Sequence, residues 1–247
     1  MAGLELHRLI LKHTKASRDQ EHLRIIHMSC PDMVEDRTKS LLSGSPEKPA
    51  RAMADIIMAG TNAAGHLDSS CIAGIPCNTF HAQPIWNEFA NVLAAKGFSH
   101  PVLNMVEETI SHIRKHHGQA RKIGILSTTG TRKFAIYSKP LELCGFQVLE
   151  SKNQEITHTL IYDPDWGIKA RAEVSEKAKN LLKEQISELA NLGADAIILG
   201  CTELPLAIDQ TQQEEEACPL LNPMDILARN LVHISLKKSS KKTDCLL

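Results

Sequence analysis

Apolar residues recur along this chain in two rhythms. Short runs that do not alternate, Lys122-Ile123-Gly124-Ile125-Leu126 and Ala194 to Leu199, read as buried strands of a parallel sheet. Longer stretches with helical spacing predict helices over Leu4 to Lys15, Ala50 to Ala64, about Pro84 to Lys96, Val106 to His117 and Ala170 to Leu192. Gly65, Gly97 and Gly145 close helices in the usual C-terminal role of glycine. Arg24 to Met28, Ile72 to Cys77 and Phe146 to Leu149 read as further strands, and Pro101 to Met105 as a short strand or connector. Asn222-Pro223 pairs an N-cap with a first-turn proline and opens a last helix through about Ile234. The helix after Ser127-Thr128-Thr129-Gly130-Thr131 contains Pro140, which should kink or shorten it.

Strands alternating with helices mean βαβ units and parallel sheets. The expected fold is therefore α/β: two similar lobes, each a parallel sheet flanked by helices, with a cleft between them. Residues 1–103 with 218–236 are expected to form the first lobe and residues 104–217 the second. The stretch 237–247 is Lys/Ser-rich and reads as a disordered basic tail.

Composition narrows the function classes. At 247 residues the chain can bury a sizeable core. A formal net charge of -1 gives no sign of a nucleic-acid partner. No apolar run approaches the roughly 20 residues of a membrane span, and the opening MAGLELHRLI lacks a signal-peptide pattern. Seven cysteines, odd in number and widely spaced, argue for a reducing cytosol rather than a disulfide framework. The ending Cys245-Leu246-Leu247 is one residue short of a prenylation box, so no lipid anchor is expected.

The candidate chemistry lies at two strand ends. Ala194 to Leu199 runs into Gly200-Cys201, and Ile72-Ala73-Gly74-Ile75-Pro76 runs into Cys77. Open α/β sheets bind ligands at the carboxyl ends of their strands. A helix beginning just beyond a cysteine would favour its thiolate. Two thiols on opposite faces of one carbon could remove a proton from one side and return one to the other, which is racemisation or epimerisation. The competing reading of either cysteine is a buried small hydrophobe. A Cys-His pair is a further rival, since His81 lies four residues after Cys77. Arg37 and Lys169, in or beside loops, are candidates for binding carboxylates. Thr128, Gly130 and Thr131 offer hydroxyl and backbone donors after a strand, or are an ordinary capped turn. Glu203, next to Cys201 and Thr202, fits a helix N-terminus. No C-x-x-C, GxGxxG, Walker A or HExxH pattern occurs, so no metal or nucleotide is called for, and no lysine motif calls for pyridoxal phosphate.

Ile75-Pro76-Cys77-Asn78-Thr79-Phe80-His81 and Gly200-Cys201-Thr202-Glu203-Leu204-Pro205 resemble the two signatures of the aspartate/glutamate racemase family. The resemblance continues through Glu35-Asp36-Arg37-Thr38, Leu126 to Thr131, Ile161-Tyr162, Ile168-Lys169 and Asn222-Pro223. It implies two flavodoxin-like lobes, a cofactor-independent amino-acid racemase and usually a dimer. It implies Cys77 and Cys201 as the acid/base thiols, with Asn78 and Thr79 helping to hold the substrate; Thr202, beside Cys201, is a further candidate for substrate binding. The Asp-Arg-Thr and Ile-Lys elements mark the aspartate-like branch, where Arg37 and Lys169 would meet the carboxylates of aspartate or glutamate. Rival readings are a hydantoin racemase, an isomerase of unsaturated diacids, or a non-catalytic amino-acid-binding protein.

One departure stands out. The family begins with an inner strand and a Gly-Gly-Met turn ahead of the helix that here starts at Ala2-Gly3-Leu4. Five buried apolar side chains at roughly 1.5–3 kcal/mol each amount to about 7–15 kcal/mol. That matches the whole stability of a typical domain, roughly 5–15 kcal/mol. A truncated start and a damaged first lobe are the resulting expectations.

Overall fold

A computed structural model describes residues 1–66, 71–170, 173–208 and 218–243, with side chains to residue 237. They divide into two compact units. The first takes Met1–Pro76, Phe80–Glu108 and the chain from Met224 onward; the second takes Cys77–Thr79 and Thr109–Pro223.

The first unit is mainly helical. Helices α1 (Ala2–His13), α2 (Arg37–Leu42), α3 (Glu47–Gly65) and α4 (Gln83–Ala95) alternate with two-residue strands β1 (Ala73–Gly74) and β2 (Val102–Leu103). The strands pair in parallel, Ala73 with Val102 and Gly74 with Leu103. Helix α5 (Met105–His116) starts in this unit, and α10 (Pro223–Thr243) supplies its last helix. Leu6 and Leu9 of α1 bury against Met105 of α5 and Met224, Leu227 and Leu231 of α10. At the rim of this core, His13 Nε2 lies 2.6 Å from Asp225 Oδ1, which ties α1 to α10. A second cluster stacks Phe80, Trp86 and Phe89, with Phe80 and Phe89 centroids 5.3 Å apart.

The second unit holds a four-stranded parallel sheet of order β4-β3-β5-β6, made by β3 (Lys122–Ser127), β4 (Gln147–Glu150), β5 (Ala196–Gly200) and β6 (Leu220–Leu221). β3 from Ile123 on and all of β5 are buried, as their unbroken apolar runs require of central strands. Helices α6 (Thr129–Lys133), α7 (Ser138–Leu143), α8 (Gln154–Tyr162) and α9 (Glu176–Asn191) complete the unit. Leu182, Ile186 and Leu189 of α9 and Leu160 and Ile161 of α8 pack with Ile197 and Leu199 of β5. The fold is α/β with parallel sheets flanked by helices. No helix among the described residues is long and apolar enough to cross a membrane.

Several sequence expectations need correction. Arg24 to Met28 joins no ladder; Ile26 and Met28 are both about 40% exposed. The segment is held by helices instead, His27 against Gly3 of α1 and Met28 against Gly60 of α3. The helix expected from Ala170 begins at Glu176, where Ser175 caps it by accepting from the Ala178 amide, and Ile168–Ala170 forms a 3-10 turn before it. The helix expected to bend at Pro140 is two helices, and Pro140 sits in the first turn of α7, where its missing N–H loses no partner. The last helix runs on to Thr243, so the expected tail is helical that far, and its remainder lies outside the described residues. Residues 220–221, expected with the first lobe, pair with Ile197 and Ile198 of β5. Helix α8 had no sequence signal strong enough to be anticipated.

Candidate active site

Parallel register sets the site. Ser127 at the end of β3 lies opposite Gly200 at the end of β5, so the turns after both strands leave the same sheet edge side by side. Gly200 makes that close approach possible: a Cβ there would lie 3.0 Å from Ser127 Cβ and 3.1 Å from the Leu126 carbonyl.

Thr128 caps α6, its hydroxyl accepting from the Thr131 amide at 3.3 Å. Thr128 Oγ1 and Thr131 Oγ1 are 3.2 Å apart, and Thr79 Oγ1 lies 3.3 Å from Thr131 Oγ1. Gly130, buried in the first turn of α6, leaves these hydroxyls unobstructed by a side chain of its own. The chain reverses after α6 through Ala135, whose φ of 50° is left-handed, and reaches Tyr137 at the N-cap of α7. Tyr137 is fully buried and donates its hydroxyl to Asn78 Oδ1 at 2.5 Å. The Tyr137 phenol is raised well above its ordinary pKa, first by burial, and Thr109 opposes the shift through a hydrogen bond. Negative charge on Cys201 or on Cys77 would raise it further. Cys77 itself is half-buried.

Cys201 is 6% exposed. Its Sγ donates to Glu203 Oε2 at 3.0 Å, and Thr202 Oγ1 donates to the same oxygen at 2.8 Å. Lys169 Nζ lies 3.7 Å from the other oxygen, Glu203 Oε1. Lys169 also donates to Tyr162 Oη at 3.2 Å and sits 4.4 Å over the Tyr162 ring. Lys169 is delivered by a tight turn. Asp163 Oδ1 accepts from the amides of Asp165 and Trp166, and a Cβ at Gly167 would come within 2.6 Å of the Asp163 backbone.

The electrostatics of the second turn differ from the sequence expectation. Only a four-residue 3-10 turn, Leu204–Ala207, is described after Cys201, in place of an α-helix N-terminus that would favour the thiolate. Burial, and then the Glu203 carboxylate, push the Cys201 thiol well above its usual pKa, with Lys169 opposing. Burial also works to lower the Lys169 ammonium, but Glu203, Cys201 and Tyr162 override it and push it up to about 12.

Cys77, Asn78, Thr79, Thr128, Gly130, Thr131, Lys169, Cys201 and Thr202 thus all belong to the second unit. Arg37 opens α2 in the first unit, behind Asp36, whose side chain caps that helix at the Lys39 amide. His81 also belongs to the first unit; it is 5% exposed and stacks on Trp86 with centroids 5.0 Å apart. Sequence reasoning missed Tyr137, and it named Tyr162 only within the resemblance, without its contact to Lys169. These are the only two tyrosines in the chain, and that scarcity was the one signal available for Tyr137.

Relatives share this framework. The Asp/Glu/hydantoin racemase family model matches residues 1–231. A broad specificity amino-acid racemase, RacX, of Bacillus subtilis is 31% identical over 169 residues, 67% of this chain and 65% of that protein. A glutamate racemase of Latilactobacillus sakei is 24% identical over 163 residues, 65% of this chain and 53% of that protein. The chain therefore aligns with less than two thirds of either relative's length. The structure of Picrophilus torridus aspartate racemase superposes with a TM-score of 0.75 at 23% identity, covering 95% of this chain and 89% of that one. That likeness speaks for the fold. With the family model matched along nearly its whole length, the chain belongs to the Asp/Glu/hydantoin racemase family.

Proposed function

We propose that this protein is an amino-acid racemase whose two proton carriers are Cys77 and Cys201, acting on aspartate or glutamate without a cofactor. The observation that carries the reading is Tyr137: its buried hydroxyl holds Asn78, the residue after Cys77, and its ring edge lies 3.5 Å from where a Cβ would stand on Gly200, the residue before Cys201. One sulfur takes the α-proton, the electron pair passes into the substrate carboxylate as an enediolate, and the other sulfur returns a proton to the opposite face. Asn78, Thr79, Thr128, Thr131, Thr202 and the Gly130 backbone are the donors for the substrate carboxylate in this reading. Lys169 supplies positive charge against the developing enediolate. Arg37 and Lys169 are the cations that would favour a second carboxylate, and the assembly is a homodimer.

A second reading is a racemase of broad specificity. It is favoured by the likeness to RacX and by Lys169, whose ammonium already faces Glu203 and Tyr162. One experiment separates the two. Each of a panel of acidic and neutral L-amino acids is incubated with the protein in deuterium oxide, then resolved by chiral chromatography and mass spectrometry. Aspartate or glutamate should racemise fastest, gaining deuterium at the α-carbon; equal turnover of neutral amino acids would select the broad reading. Cys77→Ala and Cys201→Ala should each lower kcat by about 10²–10⁴-fold. Near-normal racemisation by either variant would sink the two-thiol mechanism.

A further inference from the structure

Glu203 has no part in the two-thiol scheme, yet it makes the closest polar contacts around Cys201. One carboxylate oxygen accepts from both Cys201 Sγ, at 3.0 Å, and Thr202 Oγ1, at 2.8 Å. The other faces the Lys169 ammonium at 3.7 Å. The Glu203 side chain is 14% exposed, so this charge acts with little solvent screening. Among the described residues, the other titratable groups that interact with Cys201 are Tyr162, held by Lys169, and Tyr137. Both are phenols kept neutral by burial, so among the described residues the charges that act on the sulfur, besides its own burial, are those of Glu203 and Lys169.

We propose that Glu203 is a positioning residue that holds Cys201 as the protonated thiol of the resting site, so that Cys201 enters the reaction as proton donor and Cys77 as acceptor. The asymmetry follows from the bonds. A carboxylate can accept S–H but repels S⁻ at the same distance, so losing the Cys201 proton exchanges a hydrogen bond for a like-charge contact. When Cys201 gives its proton to the substrate α-carbon, its S–H bond breaks and a C–H bond forms. The sulfur is left as a thiolate beside Glu203, with Lys169 as the only cation at hand among the described residues. Product release then favours re-protonation of Cys201 from solvent, while Cys77 returns to solvent the proton it took from the α-carbon, so the cycle closes with no net change in protons. The cycle is reset on the Cys201 side, and Lys169 limits how far Glu203 opposes the thiolate.

This inference rests on the racemase reading, but its test needs no substrate. Iodoacetamide alkylation of each cysteine is followed by peptide mass spectrometry from pH 6 to 11, with exposed Cys144 as internal reference. In Glu203→Gln, which keeps an acceptor oxygen and removes the charge, the midpoint of the Cys201 alkylation profile should fall by at least one pH unit. At neutral pH that is about a tenfold faster reaction. In Lys169→Gln the midpoint should rise. A Glu203→Gln midpoint that stays or rises overturns the proposal, and so does a faster plateau at an unmoved midpoint, which reports only access. Absence of racemisation by the wild-type protein, with the expected midpoints, leaves Glu203 assigned and strikes at the racemase reading alone.

Discussion

The two cysteine turns look alike in sequence and differ in surroundings. Each follows a short apolar strand and is followed by a hydroxyl-bearing residue within two positions. Cys77 is half-buried, and its turn is anchored through a neutral bond, Tyr137 to Asn78. Cys201 is buried after a central strand and bonded to a carboxylate that a lysine faces. The difference teaches that a matched motif fixes where a thiol sits on the sheet, while the neighbouring charges fix which protonation state it rests in. In the proposed mechanism, a symmetrical reaction would be run by two unlike thiols.

That contrast can be broken at its anchors. Tyr137→Phe removes the donor to Asn78 and leaves a buried acceptor unpaired. It should cost about 1–3 kcal/mol of stability, read by denaturant unfolding, and lower kcat/KM more than it changes the Cys201 alkylation profile. If kcat/KM is unchanged, Asn78 is not a substrate contact. Gly200→Ala strikes the second turn by pushing β5 from β3 in a fully buried sheet. A loss of about 1–2 kcal/mol is expected, with Cys201 alkylating faster as its burial loosens. Thr128→Ala removes the α6 cap and the hydroxyl next to Thr131. About 1 kcal/mol of stability should go, with the first turn disturbed before the second.

The smallest expected effect is on pH dependence. The folded Cys201 pKa is raised above its unfolded value, so its contribution to stability is fully present below about pH 8.5 and is lost as pH rises through the folded value. Between pH 8 and 9 an unfolded thiol ionises while the folded one does not. Wild-type stability should therefore fall by about 0.7 kcal/mol more than that of Cys201→Ala over that interval. Parallel pH profiles would show that Cys201 titrates alike in both states.

Much of the second unit was legible in the chain. The unbroken apolar runs of β3 and β5 declared central parallel strands, and with them the shared edge where Thr128 and Cys201 emerge. The first unit, and two elements of the second, were harder to read. Arg24 to Met28 has the composition of a strand, but a strand exists only where a neighbour offers a ladder, and this segment lies on α1 and α3. Leu220–Leu221 is too short to carry a period, and only pairing with β5 makes it a strand. Helix α8 has its apolar residues at Ile156, Leu160 and Ile161, too few to stand out before packing selects them.

The sequence by itself determined the α/β order of elements, the two cysteines at strand ends and the family, because these depend on residue types at short spacing. Only the tertiary structure decided that Tyr137 holds Asn78, that Lys169 faces Glu203 and that Cys201 is buried against Glu203. Those facts depend on groups brought within about 4 Å from distant parts of the chain, or on burial. Coulomb and desolvation energies change steeply on that scale, and no spacing along the backbone encodes them.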